Sequence, residues 1–167
     1  GSGLALEDHA IVVGYGLNGR AVARALRSIE VPVVILELDP RRVRLARASG
    51  YEVLWADGTQ RTVLEQVAMP TAKALVIAIE DPAATRQVVS VGRLLNPAAA
   101  IFARTRLVSE MDELVRLGAT AAIPQELETA LELTRVLMPV FGASSESLDA
   151  LIAKLRAELG PVISALR

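Results

Sequence analysis

Short apolar runs alternate with amphipathic stretches along the chain, and the alternation repeats six times. Runs of Val, Ile, Leu and Ala at 10–13, 33–36, 52–56, 73–79, 99–103 and 120–123 have the length and β-branched content of buried strands. Between them lie stretches with helical spacing. In the first, residues 19–29, Val22, Ala25, Leu26 and Ile29 share one face and Arg20, Arg24 and Arg27 fall mostly on the other. Serial strand–helix units predict an α/β fold, a Rossmann-like doubly wound six-stranded parallel sheet in the order 3-2-1-4-5-6, with additional C-terminal helices. The run at 73–79 is the most apolar, as expected for a central strand covered on both faces.

Punctuation supports the same division. Asp39-Pro40 and Asp81-Pro82 each read as an N-cap followed by proline at the first helical position, and Gly50 and Gly118 end helices. Ser109 and Asp112 stand in capping-box spacing at another helix start. The stretch 126–141 carries apolar residues on more than one side. Leu127, Ala130, Leu131, Leu137 and Met138 form one side, and Leu133, Val136 and Val140 another. Such a helix at a domain's end needs two surfaces to pack against, and Pro139 bends or ends it. After a break at 142–145, residues 146–159 show a stripe of Leu148, Leu151, Ile152, Leu155 and Leu159. That stripe either folds back within the chain or meets a second chain; we expect a homodimer through these helices.

The chemistry concentrates at Gly14-Tyr15-Gly16-Leu17-Asn18-Gly19, directly after the first strand. In a Gly-x-Gly-x-x-Gly turn the first glycine allows the tight bend and the second lets backbone N–H groups approach a pyrophosphate. The third lets helix and strand pack closely. Glu37 ends the second strand about 20 residues further on, where a carboxylate can accept hydrogen bonds from ribose hydroxyls. Asp57, after strand three, faces either a nucleoside or a plain turn. Ala78 and Ile79 offer backbone contacts beside the same crevice, and Arg104 pairs either with a phosphate or with a surface carboxylate. Asp39 and Asp81 read as helix caps. The arginines 41, 42, 44 and 47 read as a solvated helix face; a ribose 2′-phosphate there would be repelled by Glu37. His9 is expected to be solvent-exposed or structural.

Composition narrows the classes. Of 167 residues, 52% are hydrophobic and only 3% aromatic, which suits a parallel sheet under helices and argues against disorder. A net charge of −1 with interspersed signs gives no electrostatic case for nucleic acid. Zero cysteines exclude thiol catalysis and disulfides, and a single histidine makes a zinc site improbable. No apolar run approaches the roughly 20 residues that span a bilayer. Gly1-Ser2-Gly3 has the form of a cleavage scar, so residues 1–7 are set apart as a leader.

Five ordered motifs together are specific: Val12 to Gly19, Leu36-Glu37-Leu38-Asp39-Pro40, Ala56-Asp57-Gly58-Thr59, Ala78-Ile79-Glu80-Asp81-Pro82 and Ala103-Arg104-Thr105-Arg106. They resemble the TrkA-N, or RCK N-terminal, domain, above all the version carried by Kef-type monovalent cation:proton antiporters. The resemblance covers residues 8–142 and leaves 143–167 as an amphipathic helical extension. Gly58 stands where the family usually has Ala, and Glu37 where Asp is common. The resemblance implies a cytosolic regulatory domain, not an enzyme, that binds NAD(H), AMP or another adenine nucleotide. It implies a site drawn from Gly14, Tyr15, Gly16, Leu17, Asn18, Gly19, Glu37, Leu38, Asp57, Gly58, Thr59, Ala78, Ile79 and Arg104. It also implies gating of potassium or cation movement through an attached inner-membrane transport protein, and pairing between subunits. The rival reading is an NAD-dependent oxidoreductase fragment lacking its substrate domain. A third is a helix-mediated scaffold on a vestigial nucleotide fold.

Overall fold

The computed structural model describes residues 6–159. Six parallel strands, β1 (Ala10–Val13), β2 (Val33–Glu37), β3 (Glu52–Trp55), β4 (Ala74–Ile77), β5 (Ala100–Thr105) and β6 (Ala121–Pro124), lie in the order β3-β2-β1-β4-β5-β6. The expected doubly wound sheet is therefore present. Val13 aligns with Leu36 on one side and Ile77 on the other, so the C-terminal ends of β1, β2 and β4 finish together.

Period-two alternation sends consecutive side chains of each strand to opposite layers. Ile11, Val13, Leu75, Ile77 and Ile101 enter a core under α3 (Arg61–Gln66), α4 (Pro82–Leu95) and α5 (Met111–Leu117). Val12, Ile35 and Val53 enter a smaller core under α1 (Leu17–Ser28) and α2 (Pro40–Ala48). This second layer lies over β1, β2 and β3 and reaches β4 at Val76 alone among the described residues. The expectation that the fourth strand is covered on both faces is thus corrected: Ala74 and Val76 are half-buried. Their side of the sheet, with Phe102 and Ile123, is an apolar groove of about 320 Å³.

The buried face of α1 also differs from the expected stripe. Gly19 and Ala23 are buried with Val22 and Leu26 packed beside them, whereas Ala25 and Ile29 are exposed. The close approach of Gly19 to the β1 turn rotates the helix toward its small residues. His9 is fully buried ahead of β1, one ring nitrogen 2.8 Å from the Val67 carbonyl oxygen, and is structural. Asp39 and Asp81 cap α2 and α4 by accepting from the backbone N–H of Arg41 and Ala84, each at 2.9 Å. The proposed Ser109–Asp112 box is not used. Glu110 makes the tie there, accepting from the Thr105 hydroxyl and from the Leu107 N–H at 3.3 Å. The Thr105 hydroxyl also holds the Glu110 carboxyl below its usual range.

Helix α6 (Gln125–Leu137) continues directly from β6 and passes into a 3-10 turn, Met138–Phe141, at Pro139. Gly142, at φ +86°, reverses the chain. Helix α7 (Ser145–Leu159) then folds back, burying Leu148 and Ile152 against Leu127 and Leu131. Arg156 pairs with Glu128, and Arg135 with Asp149 at 3.3 Å, across this hairpin. Leu127 and Leu131 are therefore covered within the chain. Among the described residues no helix is long and apolar enough to cross a membrane.

Candidate functional site

The site forms where β1 turns into α1. Gly14 takes φ +101°, a left-handed conformation that side chains disfavour, and its N–H donates to the Leu36 carbonyl at 2.8 Å. A Cβ on Gly14 would stand 3.0 Å from the Ala78 carbonyl oxygen. A Cβ on Gly19 would collide with the carbonyl of Gly14, reaching its carbon at 2.8 Å. Gly16 differs from both. It occupies the N-cap of α1, and a Cβ there would meet only the guanidinium of Arg42, at 3.5 Å or more. No side chain caps α1 and no acid lies in its first turn. The unpaired N–H groups and positive end of the helix dipole at Leu17 and Asn18 thus open toward solvent.

Tyr15 supplies backbone rather than side chain. Its ring is buried beneath α1 and α2, edge-on to Tyr51 with centroids 5.9 Å apart. Its N–H donates to Glu37 Oε1 at 2.9 Å. Glu37 is only 7% exposed and is held from both sides, because Oε2 accepts the N–H groups of Leu38 at 2.7 Å and Asp39 at 3.2 Å. Backbone donors thus hold the carboxylate at the tip of β2, beside the glycine turn.

Asp57 follows β3 and closes an Asx turn. Its Oδ1 accepts the N–H of Thr59 at 2.9 Å and the Thr59 hydroxyl at 2.7 Å. These two bonds, the backbone one foremost, hold the Asp57 carboxyl below its usual range. Gly58 is buried against Val13, where a Cβ would stand 3.0 Å from a methyl. At the far side of the crevice Arg104 reaches the Ile79 carbonyl at 3.4 Å and the side chain of Gln125, while its Nε is buried without a partner. The surface carboxylate envisaged for Arg104 is absent among the described ion pairs.

These groups line one crevice of about 650 Å³, including Gly14, Gly16, Leu17, Asn18, Glu37, Leu38, Asp57, Thr59, Ala78, Ile79 and Arg104. Its size lies in the range of small-molecule sites, roughly 300–1,000 Å³. Of the expected residues, Tyr15 and Gly19 build the turn from behind, and Gly58 borders a smaller recess beside Leu36 and Leu38. Five further lining residues stood outside the expected site: Arg42, Glu80, Asp81, Ala84 and Gln125. Arg41 points outward and pairs with Asp39 at 3.3 Å, but Arg42 turns inward, its NH1 3.6 Å from Glu37 Oε1. The available signal was position: Arg42 is the third residue after the Asp39 cap, on the one turn of α2 that abuts the crevice.

Chemically the crevice offers backbone donors and a guanidinium for an anion at Gly16. For hydroxyls it offers a preorganised carboxylate on one side. Doubly wound sheets take ligands at this topological switch point, and the fold and site together define a Rossmann-type binding domain. The chain belongs to the TrkA-N domain family, whose sequence profile matches residues 10–125.

Among curated proteins it is similar to the putative K(+) efflux antiporter KefB of Alkalimonas amylolytica. The two are 32% identical over 151 residues, 90% of this chain and 23% of that protein. It is likewise similar to K(+) efflux antiporter 3, chloroplastic, of Arabidopsis thaliana, with 29% identity over 152 residues, 86% of this chain and 20% of that one. The chain thus spans less than a quarter of either relative.

Among solved structures, the TrkA-N domain of inner membrane protein ybaL from Escherichia coli superposes with a TM-score of 0.76. It is 25% identical and is matched over 80% of this chain and 99% of its own. The Kef CTD of Shewanella denitrificans in AMP bound form gives a TM-score of 0.78 at 24% identity, over 90% of this chain and 92% of its own. The GsuK channel bound to NAD gives 0.71 at 18% identity, over 78% of this chain and 24% of its own. The last two likenesses are likenesses of fold.

Proposed function

We propose that this domain binds an adenine nucleotide, NAD(H) or AMP, in the crevice, and thereby regulates a membrane potassium or cation:proton antiporter of which it is the cytoplasmic part, at the inner membrane. The observation that carries this reading is the pairing of an open glycine at an uncapped helix start with a backbone-held carboxylate at the tip of β2. Phosphate suits the first and ribose hydroxyls the second. Gly14, Gly16 and Gly19 shape the turn for the phosphates, with N–H groups at Leu17 and Asn18. Glu37 holds ribose; Leu38, Gly58, Thr59, Ala78 and Ile79 enclose the adenosine with Asp57, and Arg104 reaches a distal anionic group. The antiporter relatives, and the AMP- and NAD-bound neighbours, support the same reading.

In this reading the domain senses nucleotide and does not turn it over, in contrast to an oxidoreductase fragment. Calorimetry with AMP, NAD and NADP tests it. AMP and NAD bind, and NADP binds at least about tenfold more weakly, because a 2′-phosphate meets the Glu37 carboxylate. Reduced nicotinamide mixed with common alcohols, aldehydes and hydroxy acids keeps its absorbance. Absence of binding to all three nucleotides overturns the reading; multiple turnover revives the dehydrogenase.

The proposed assembly is a homodimer through the α6 end of the molecule. With Leu127 and Leu131 covered by α7, the stripe left open is Leu133, Val136, Leu137, Val140 and Phe141, the last two 77% and 79% exposed. Burying such side chains contributes roughly 1.5–3 kcal/mol each before association costs. Light scattering should give a dimer for the wild type and a monomer for Val140→Asp/Phe141→Asp. A wild type that stays monomeric at high micromolar concentration refutes the pairing.

A further inference from the structure

We propose that Arg42 makes the crevice read phosphate and ribose as one unit, by competing with ribose for Glu37 until a 5′-phosphate draws it away. The inference rests on the nucleotide-binding reading and goes beyond it by assigning the residue that sets the phosphate requirement.

The argument begins with acceptor geometry at Glu37. Oε2 already takes two backbone N–H groups, from Leu38 and Asp39, which occupies both of its in-plane lone pairs. Oε1 takes one, from Tyr15, and has one direction left. The guanidinium of Arg42 stands at that oxygen, with NH1 3.6 Å away. A ribose hydroxyl seeking Glu37 therefore meets the oxygen that Arg42 faces. The same guanidinium lies over Gly16, with NH1, Cζ and NH2 between 3.5 and 3.8 Å from where a Cβ would be. It thus sits between the ribose acceptor and the glycine that a phosphate approaches.

Two features make it a movable cation rather than a fixed strut. Its side chain is 52% exposed, and its ion pair with Glu37 is longer than a hydrogen bond. A phosphate monoester over Gly16 offers it a charge-assisted, bidentate partner within a small rotation. Adenosine without phosphate displaces the guanidinium from Glu37 and returns nothing. Adenosine 5′-monophosphate displaces it onto itself. The ligand class selected is a nucleoside 5′-phosphate, with a terminal monoester favoured over an unphosphorylated nucleoside.

Titrations of the wild type, Arg42→Gln and Arg42→Lys with adenosine 5′-monophosphate, adenosine 2′-monophosphate and adenosine test this, with thermal melts as a folding control. The wild type should prefer the 5′-monophosphate over adenosine by about fiftyfold or more. Arg42→Gln should shrink that preference by about tenfold, the range of one charge-assisted bond, with adenosine affinity unchanged or higher. Arg42→Lys should keep part of the preference, since it retains charge without the planar fork. Equal weakening of adenosine and its 5′-monophosphate in Arg42→Gln would show Arg42 only propping up Glu37, and would overturn the proposal. So would an unchanged preference, or a loss confined to the 2′-monophosphate. A wild type that binds no adenine nucleotide at all fails the underlying reading, and the inference with it; the variant comparison separates the two failures.

Discussion

Gly19→Ala is expected to destabilise the domain by about 3 kcal/mol or more, a large shift of its unfolding midpoint. Overpacking by one methyl commonly costs roughly 1–3 kcal/mol, and the upper end applies when the obstacle is backbone and not a movable side chain. Here the added Cβ strikes the Gly14 carbonyl itself, 2.8 Å from its carbon. Gly14 cannot retreat, because its N–H is tied to Leu36 and Ala78 stands against its other side. Only a shift of α1 off β1 relieves the clash, and that shift opens the core around Val12, Ala23 and Ile35. Domains of this size are stable by only about 5–15 kcal/mol, so such a loss is a large fraction of the total. Urea unfolding of wild type and variant measures it. A midpoint equal to the wild type's would mean that α1 does not rest on the Gly14 carbonyl.

Gly16→Val, three residues earlier, is expected to do the reverse: to abolish nucleotide binding while costing the fold about 1 kcal/mol. Gly16 has φ −76° and extended ψ, a conformation open to valine, and a Cβ there meets only the flexible end of Arg42. The stability cost is that of a poor N-cap. In the proposed complex the valine methyls occupy the space of the phosphate and cover the N–H groups of the α1 start, so AMP and NAD affinity should fall at least about a hundredfold. Calorimetry and a thermal melt on the same sample decide it. Wild-type affinity in a folded variant would place the ligand's phosphate elsewhere. The pair of substitutions separates two roles that the glycine motif merges: Gly19 serves packing, and Gly16 serves the ligand.

Much of this domain was legible in the sequence because its determinants are local. The six apolar runs, the helix starts at Asp39-Pro40 and Asp81-Pro82, and the strand order all follow from periodicity, capping and the right-handed crossover rule. The glycine turn and Glu37 were legible for the same reason. A tight strand-to-helix bend needs glycine at Gly14 whatever surrounds it, and the tip of the adjacent strand lies a fixed distance along the chain.

What the tertiary structure decided concerns choices among residues that look alike locally. Four arginines on α2 share one composition, but only Arg42 lies where the helix's first turn meets the glycine loop, and the register of β2 against β1 sets that meeting. His9 is buried because Val67, 58 residues away, presents a carbonyl to its ring. The face of α1 that enters the core is fixed by contact between Gly19 and Gly14, which selects Ala23 over Ala25. Val76, apolar like its neighbours, is half-buried because it sits at the margin of the core under α1 and α2, where the groove beside Phe102 and Ile123 begins. Of the two apolar sides of α6, α7 covers Leu127 and Leu131 and leaves Val140 and Phe141 bare. Hydrophobicity states that a side chain gains by leaving water, and it is non-directional; which neighbour provides the cover depends on contacts between residues far apart in the chain.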